Sequence, residues 1–380
     1  ELTMSEYRKA KPEEREACIE FADYVFSKAH CPHDFETLIP RVYGEGVDSA
    51  SMHRIAVDER GKIRALIAVL REELEVGGKA LQAGFVGTVS VHPKARGEGH
   101  MKVLMGEWLK EMRETCDIAV LGGQRQRYEY FGFTRGGSQY KYSVNRSNIR
   151  HALKKTDCGG ISFCPLEEAE GGYELVYNIN RQRPARVERP KEQIGSIVRN
   201  MGEKALAVLD NEKLTGYILV SGNGDTVCEL GLLDAGIMEA VIKAYLAYTG
   251  RDEIEIVAPA YDKALNQRIG RFAESYCVEP SEMFQIFDFA NVLEAYLSLK
   301  QKTLGLALGE FSAVLDGQPV TVYADENGVS VERAAKPGAA VLDKLQAQEL
   351  LLSEYGRFMD VQAPAGWFPL PVFWYAADSF

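Results

Sequence analysis

The sequence lacks any Cys-x-x-Cys pair among its seven cysteines, so neither a disulfide framework nor a zinc site is indicated. It also lacks an apolar run approaching the roughly 18 residues that span a bilayer. Its opening stretch, ELTMSEYRKAKPEEREA, has no apolar secretory core. These absences lead us to expect a cytoplasmic chain with reduced thiols and no membrane partner. No Gly/Ser linker separates its parts, so they should pack tightly. The one His/Cys cluster, His30-Cys31-Pro32-His33, has no matching second cluster and reads as a helix end, with no metal expected. Basic residues are outnumbered 44 to 55, a net charge of −11 that argues against non-specific nucleic-acid binding and suits a cationic substrate. The basic run Arg181, Arg183, Arg186, Arg189, Lys191 has no interleaved aromatics and reads as a salt-bridged surface segment. What remains is a chain of 380 residues, 46% hydrophobic and 26% charged, which is the composition of a globular protein of two or three domains.

One stretch carries chemistry. VSVHPKARGEGHM, Val89 to Met101, ends a strand at Pro93 and opens a helix after Gly99. The strand Phe85 to Val91 should alternate, with Phe85, Gly87, Val89 and Val91 on one face and Val86, Thr88 and Ser90 on the other. In the helix Met101, Leu104, Met105, Trp108 and Met112 form one apolar stripe, leaving Lys102, Glu107, Lys110 and Glu111 outside. The glycines then sit where unpaired N–H groups and the helix dipole favour an anion, and phosphate is the expected ligand.

Three blocks follow from the pattern. Residues 1–145 read as helix, three strands in a meander turning at Glu59-Arg60-Gly61-Lys62 and Gly77-Gly78, the glycine-turn helix, a buried strand, a short helix and a return strand. Residues 146–288 repeat that plan, with a hairpin at Asn211-Glu212-Lys213 and a helix capped by Asp234 and stopped by Gly250. The glycine turn is replaced there by Leu233-Asp234-Ala235-Gly236, without a basic residue. Residues 289–380 should contain a helix around Ala290 to Leu299, three short strands, a helix near Ala339 to Tyr355 and an aromatic, Pro-rich tail. The fold class is mixed α/β.

Pro93-Lys94-Ala95-Arg96-Gly97-Glu98-Gly99-His100-Met101 after one strand, with Tyr128-Glu129-Tyr130-Phe131-Gly132-Phe133 after the next, resembles the GNAT acetyltransferase superfamily. With the second copy, the third block and the final phenylalanine, the whole chain resembles the Eis group of that superfamily. The resemblance implies tandem GNAT folds, a sterol-carrier-like C-terminal domain and a homo-oligomer. It also implies acetyl transfer from acetyl-CoA to a primary amine of a small cationic molecule or a lysine side chain. Val89, Ser90, Val91, Arg96, Gly97, Gly99, His100 and Met101 would hold acetyl-CoA, with the Ser90 and Val91 N–H groups serving the oxyanion and the pantetheine amides. Tyr128 would be the general acid, and the carboxylate of Phe380 the base. Asp23, Asp34 and Glu36 would attract the amine.

Lys94 departs from the Gln or Arg usual in the family; it keeps the charge but not the planar fork. Glu98 puts a negative charge inside the turn. Arg125 and Arg127 read as solvated helix charges, and the alternative for Tyr128, second to the general acid, is a core tyrosine. Two other functions fit the same pattern: acyl transfer from a different acyl-CoA, and a non-catalytic carrier of an apolar ligand.

Overall fold

A computed structural model describes residues 5–380. The first stretch forms β1 (Glu6–Lys9), β2 (His53–Val57), β3 (Ile63–Val76), β4 (Lys79–Val91), β5 (Ile118–Leu121) and β6 (Thr134–Gly136). The next forms β7 (Gln139–Asn145), β8 (Ile161–Pro165), β9 (Ala185–Val187), β10 (Lys204–Asp210), β11 (Lys213–Val220), β12 (Thr226–Leu232), β13 (Glu253–Pro259) and β14 (Ser275–Glu279). Then come β15 (Glu282–Ile286), β16 (Gly309–Leu315), β17 (Gln318–Asp325), β18 (Gly328–Glu332) and β19 (Ala340–Leu342).

The strands form three mixed sheets, in the orders β1-β2-β3-β4-β5-β15-β6, β14-β7-β13-β12-β11-β10-β8 and β18-β17-β16-β19, with β9 added beside β3. The first two share one plan, an antiparallel meander followed by a parallel strand, so the fold is a repeated mixed α/β arrangement with an additional C-terminal unit. The sheets trade strands across the sequence divisions at 145 and 288. β7 lies in the second sheet, while β15 pairs with β5 and β6 in the first. Hydrophobic alternation shows that a segment is a strand but not which sheet completes its ladder.

Turn chemistry behaves as expected. Gly77 and Gly78 both have positive φ (59° and 89°) between Val76 and Lys79, the geometry of a tight two-residue hairpin turn. Asn211 and Glu212 make the equivalent turn between β10 and β11. The helix His100–Thr115 buries Leu104, Met105, Trp108 and Met112 against the first sheet, and its outer Glu107 and Glu111 pair with Arg54 at 3.0 and 2.8 Å. In the third block the helix expected over Ala339–Tyr355 is shorter. Ala340–Leu342 is β19, parallel to β16, and the helix is Lys344–Leu352, capped by Asp343.

The largest core is common to all three blocks. It joins Phe85 and Val120 of the first sheet, Val187 and Tyr261 of the second block, the helix Phe289–Thr303, and Trp367, Leu370 and Trp374 of the tail. Among the described residues no helix is long and apolar enough to cross a membrane.

The basic run is a surface segment only in part. Arg181 and Lys191 are exposed and Lys191 pairs with Glu174, whereas Arg183 is half-buried and Arg189 is buried, forked between Glu229 and Asp378. Charge counting along the chain cannot see carboxylates supplied from 40 and 189 residues away.

Candidate active site

β4 and β5 pair in parallel only from Ala83↔Ile118 to Val86↔Leu121, and past that point β4 continues to Val91 paired with β3 but not with β5. The two strands therefore open a wedge. At its apex Thr88 takes φ +53°, an outlier for a β-branched residue, and the β3–β4 register slips between Leu66 and Ala68. Tyr43 holds the bulge: its hydroxyl is 2.8 Å from Thr88 Oγ1 and 2.9 Å from His53 Nε2, and His53 Nδ1 lies 2.8 Å from the Ser49 carbonyl. Burial pushes His53 down to about 4, so it stays neutral and supports the bulge without adding charge.

The bulge corrects the expected alternation. Phe85 packs into the tail-side core and Gly87 faces the tail, whereas Val89 and Val91 join Val86 against the helix His100–Thr115. One inserted residue exchanges the two faces downstream. It also corrects the assignment of Ser90. The His92 N–H bonds Arg64 O at 2.8 Å, so ladder alternation turns the Ser90 N–H toward β3 and leaves those of Val89 and Val91 facing the wedge.

At the wedge mouth, Gly97 and Gly99 hold φ of 88° and 84°, and Gly99 caps the helix. Among the described residues the N–H groups of Gly97, Gly99, His100 and Met101 have no backbone or side-chain acceptor, whereas Glu98 N and Lys102 N are taken by Ala95 O and Gly99 O. Arg96 is exposed and makes no ion pair. Glu98 turns aside, 2.9 Å from His100 Nε2 and 3.7 Å from Arg64. The buried His100 ring is held on its other nitrogen by the Tyr7 hydroxyl at 3.0 Å, so only its backbone faces a ligand.

Tyr128 is buried just past β5, its ring packed on Gly123, and burial raises its phenol above the ordinary value with Arg127 working against the shift. It therefore holds its proton at neutral pH. The tail ends on the other side of the wedge, where the Phe380 ring covers Gly87 so closely that a Cβ there would lie 2.7 Å from it. Asn200 donates to Ser379 O at 2.7 Å and to Ala377 O at 3.2 Å. Arg189 grips Asp378 at 2.8 and 2.9 Å. Arg41 pairs with Glu72 at 2.9 Å and donates to Ala377 O at 3.4 Å. None of these contacts was visible in the sequence, because each joins residues far apart along the chain.

The three acidic residues expected to draw in an amine have local partners. Asp23 accepts the Phe35 N–H at 2.8 Å, Asp34 caps the short helix that follows it, and Glu36 lies 3.7 Å from Arg15. None of them lines the open groove of about 1130 Å³ between β3 and the segment around residues 177–193. That groove is walled by Met52, Leu70, Glu72, Glu188, Arg189 and Glu192. Met52 and Leu70 share their apolar cluster with Phe380. Glu72 is raised to about 8 by burial, and its Oε2 has no partner.

Residues 6–136 match the acetyltransferase (GNAT) domain family. The match covers about a third of the chain. The match supports an acyltransferase that uses acetyl-CoA. A comparison with curated proteins finds no match. Among solved structures the chain is similar to a GCN5-related N-acetyltransferase from Anabaena variabilis (17% identity, 95% of this chain and 94% of that chain, TM-score 0.65). It is also similar to a protein of unknown function and probable N-acyltransferase from Enterococcus faecalis (16%, 96% and 95%, TM-score 0.64). A third similar structure is Eis1 from Mycobacterium abscessus (15%, 99% and 100%, TM-score 0.64). At these identities the likeness is one of fold, and it extends over nearly the whole chain.

Proposed function

We propose that the chain transfers the acetyl group of acetyl-CoA to a primary amine of a small cationic molecule or a lysine side chain, by direct attack of the amine on the thioester. The observation that carries this reading is the row of four open N–H groups at a helix N-terminus, set at the mouth of a wedge between two parallel strands. The N–H groups of Gly97, Gly99, His100 and Met101, with Arg96, suit a pyrophosphate. The N–H groups of Val89 and Val91 suit the pantetheine amides and the oxyanion, and Tyr128 would protonate the departing thiolate. A carboxylate beside the wedge would receive the amine proton, and the resemblance to the Eis group offers that of Phe380 as one candidate, its ring lying over Gly87.

The groove beside Leu70 and Met52 is the candidate entry for the acceptor, ahead of Asp23, Asp34 and Glu36. Division of labour among residues 1–145, 146–288 and 289–380, a sterol-carrier-like third unit and a homo-oligomeric assembly belong to the same proposal, on the resemblance to the Eis group. Thiol release from acetyl-CoA over a panel of polyamines, aminoglycosides and lysine peptides tests it. Acetyl-CoA turnover dependent on one class of amine is the expected result. Preference for a long acyl-CoA would redirect the reading, and absence of turnover with every amine would sink it.

A further inference from the structure

Three strands meet at the wedge in one register. Extending the β4–β5 pairing by one residue sets Gly87 beside Gly122, and extending the β5–β15 pairing sets Gly122 beside Glu282. Gly87 and Gly122 are thus the residues that follow the last β4–β5 pair, where the strands part, and each is covered. The Phe380 ring covers Gly87, and the Glu282 carboxylate covers Gly122, with Oε2 3.2 Å from where a Cβ would stand. Ser379 links the two covers, its hydroxyl 3.5 Å from Glu282 Oε1. Across the next residue, Gly123, stands Tyr128.

We propose that Glu282 is a catalytic residue of the acetyl transfer, the carboxylate that takes the proton from the acceptor ammonium. This deepens the acetyltransferase reading and rests on it. Glu282 and an α-carboxylate on Phe380 are unequal bases. The terminal α-carboxylate has an ordinary value of about 3.3–3.7. Glu282 is raised to about 7, with burial as the cause and the Ser379 hydroxyl opposing it. A base near the working pH is the more effective one.

The groups facing Glu282 are few. Gly122 lies opposite on β5, Gly136 opposite on β6, and the Ser379 hydroxyl approaches from the tail. Among the described residues no lysine, arginine or histidine forms an ion pair with it. A positively charged amine entering the wedge would be its counterion.

The step balances. The ammonium gives one proton to Glu282, and the freed lone pair forms the C–N bond at the acetyl carbon. As the tetrahedral oxyanion collapses, the C–S bond breaks and the thiolate takes a proton from Tyr128. The nitrogen sheds its second proton, which restores Tyr128, and Glu282 releases its own to solvent. The products are the amide, free CoA thiol and one proton.

The test is the pH profile of kcat/KM for the amine in full-length wild type, Glu282→Gln and Glu282→Asp, alongside a C-terminally extended protein. Glu282→Gln is isosteric with the protonated acid and should melt with the wild type. The expected result is a wild-type limb rising through about pH 7 that Glu282→Gln loses. Its rate should fall on the order of a hundredfold, with acetyl-CoA affinity unchanged, while Glu282→Asp keeps a limb at a lower rate. A limb and rate retained by Glu282→Gln but lost in the extended protein would overturn the assignment and give the role to the terminal carboxylate. Absence of turnover in the wild type would overturn the acetyltransferase reading, and this assignment with it.

Discussion

The first and second sheets are two answers built on one plan. In each, a meander leads into a parallel pair that is cut short: β4–β5 ends at Val86, and β12–β13 pairs only Thr226 and Val227. Each has a register slip at that level, at Thr88 in one and beside Val220 in the other. Beyond the slip the two diverge. The first presents Arg96-Gly97-Glu98-Gly99 with its N–H groups open. The second presents Leu233-Asp234-Ala235-Gly236, where Asp234 has already taken the Gly236 N–H at 2.7 Å and adds a negative charge where phosphate would sit. Two residues past its last parallel pair, the second sheet places Glu229, which draws in Arg183 and Arg189. Arg189 passes the grip on to Asp378. Of two sheets built on one plan, the first thus leaves the N–H groups of its turn open, and the second anchors the tail that packs over Gly87.

The largest effect should come from breaking that anchor. Arg189→Met leaves Glu229 and Asp378 buried with fewer partners, and loss of one side of a buried pair costs about 3–5 kcal/mol. Thermal melts should show the loss of stability. Where the variant still folds, kcat should fall with KM for acetyl-CoA nearly unchanged, because the tail and not the glycine turn has moved. Arg189→Lys should not restore activity, since a lysine cannot fork between two carboxylates. A variant with normal turnover would show that the second block does not position the tail.

The glycine turn sharpens the contrast from the other side. Gly99→Val forces a β-branched residue to φ +84° and should weaken acetyl-CoA binding by about tenfold or more, roughly 1.4 kcal/mol, by calorimetric titration. Ala235→Val, at the corresponding turn of the second block, should leave that affinity unchanged. Equal losses at both sites would mean that the two turns act alike.

The smallest effect is a pH slope. Both Glu203 oxygens are buried without partners, and burial raises this carboxyl to about 8. The folded chain therefore holds a proton that the unfolded chain releases near its ordinary value of 4.5. Stability from this group is full below that value and is lost as pH rises through about 8. Melting temperature of the wild type should fall between about pH 5.5 and about pH 8.5, and Glu203→Gln should flatten the fall.

Much of this was legible along the chain. The Gly77-Gly78 and Asn211-Glu212 turns, the Leu104–Met112 stripe, the glycine turn and the missing turn at Leu233–Gly236 are local patterns, readable because backbone conformation and helical period act over a few residues. The face exchange after Thr88 was not legible. A β-branched residue carries no local signal for positive φ, and it adopts one here because Tyr43, 45 residues away, holds its hydroxyl. Nor was the burial of Arg189, whose spacing is that of any exposed basic segment.

What the amino-acid order determined by itself, then, was which segments become strands and helices and where a backbone can open toward an anion, because both depend on neighbours within one or two turns. Only the tertiary structure decided which sheet each strand joins, which carboxylates meet which guanidinium groups, and that Glu282 and the chain end arrive together over Gly122 and Gly87. Those outcomes depend on hydrogen-bond ladders and desolvated charge pairs between residues tens to hundreds of positions apart, and such partners leave no periodic trace in the chain that carries them.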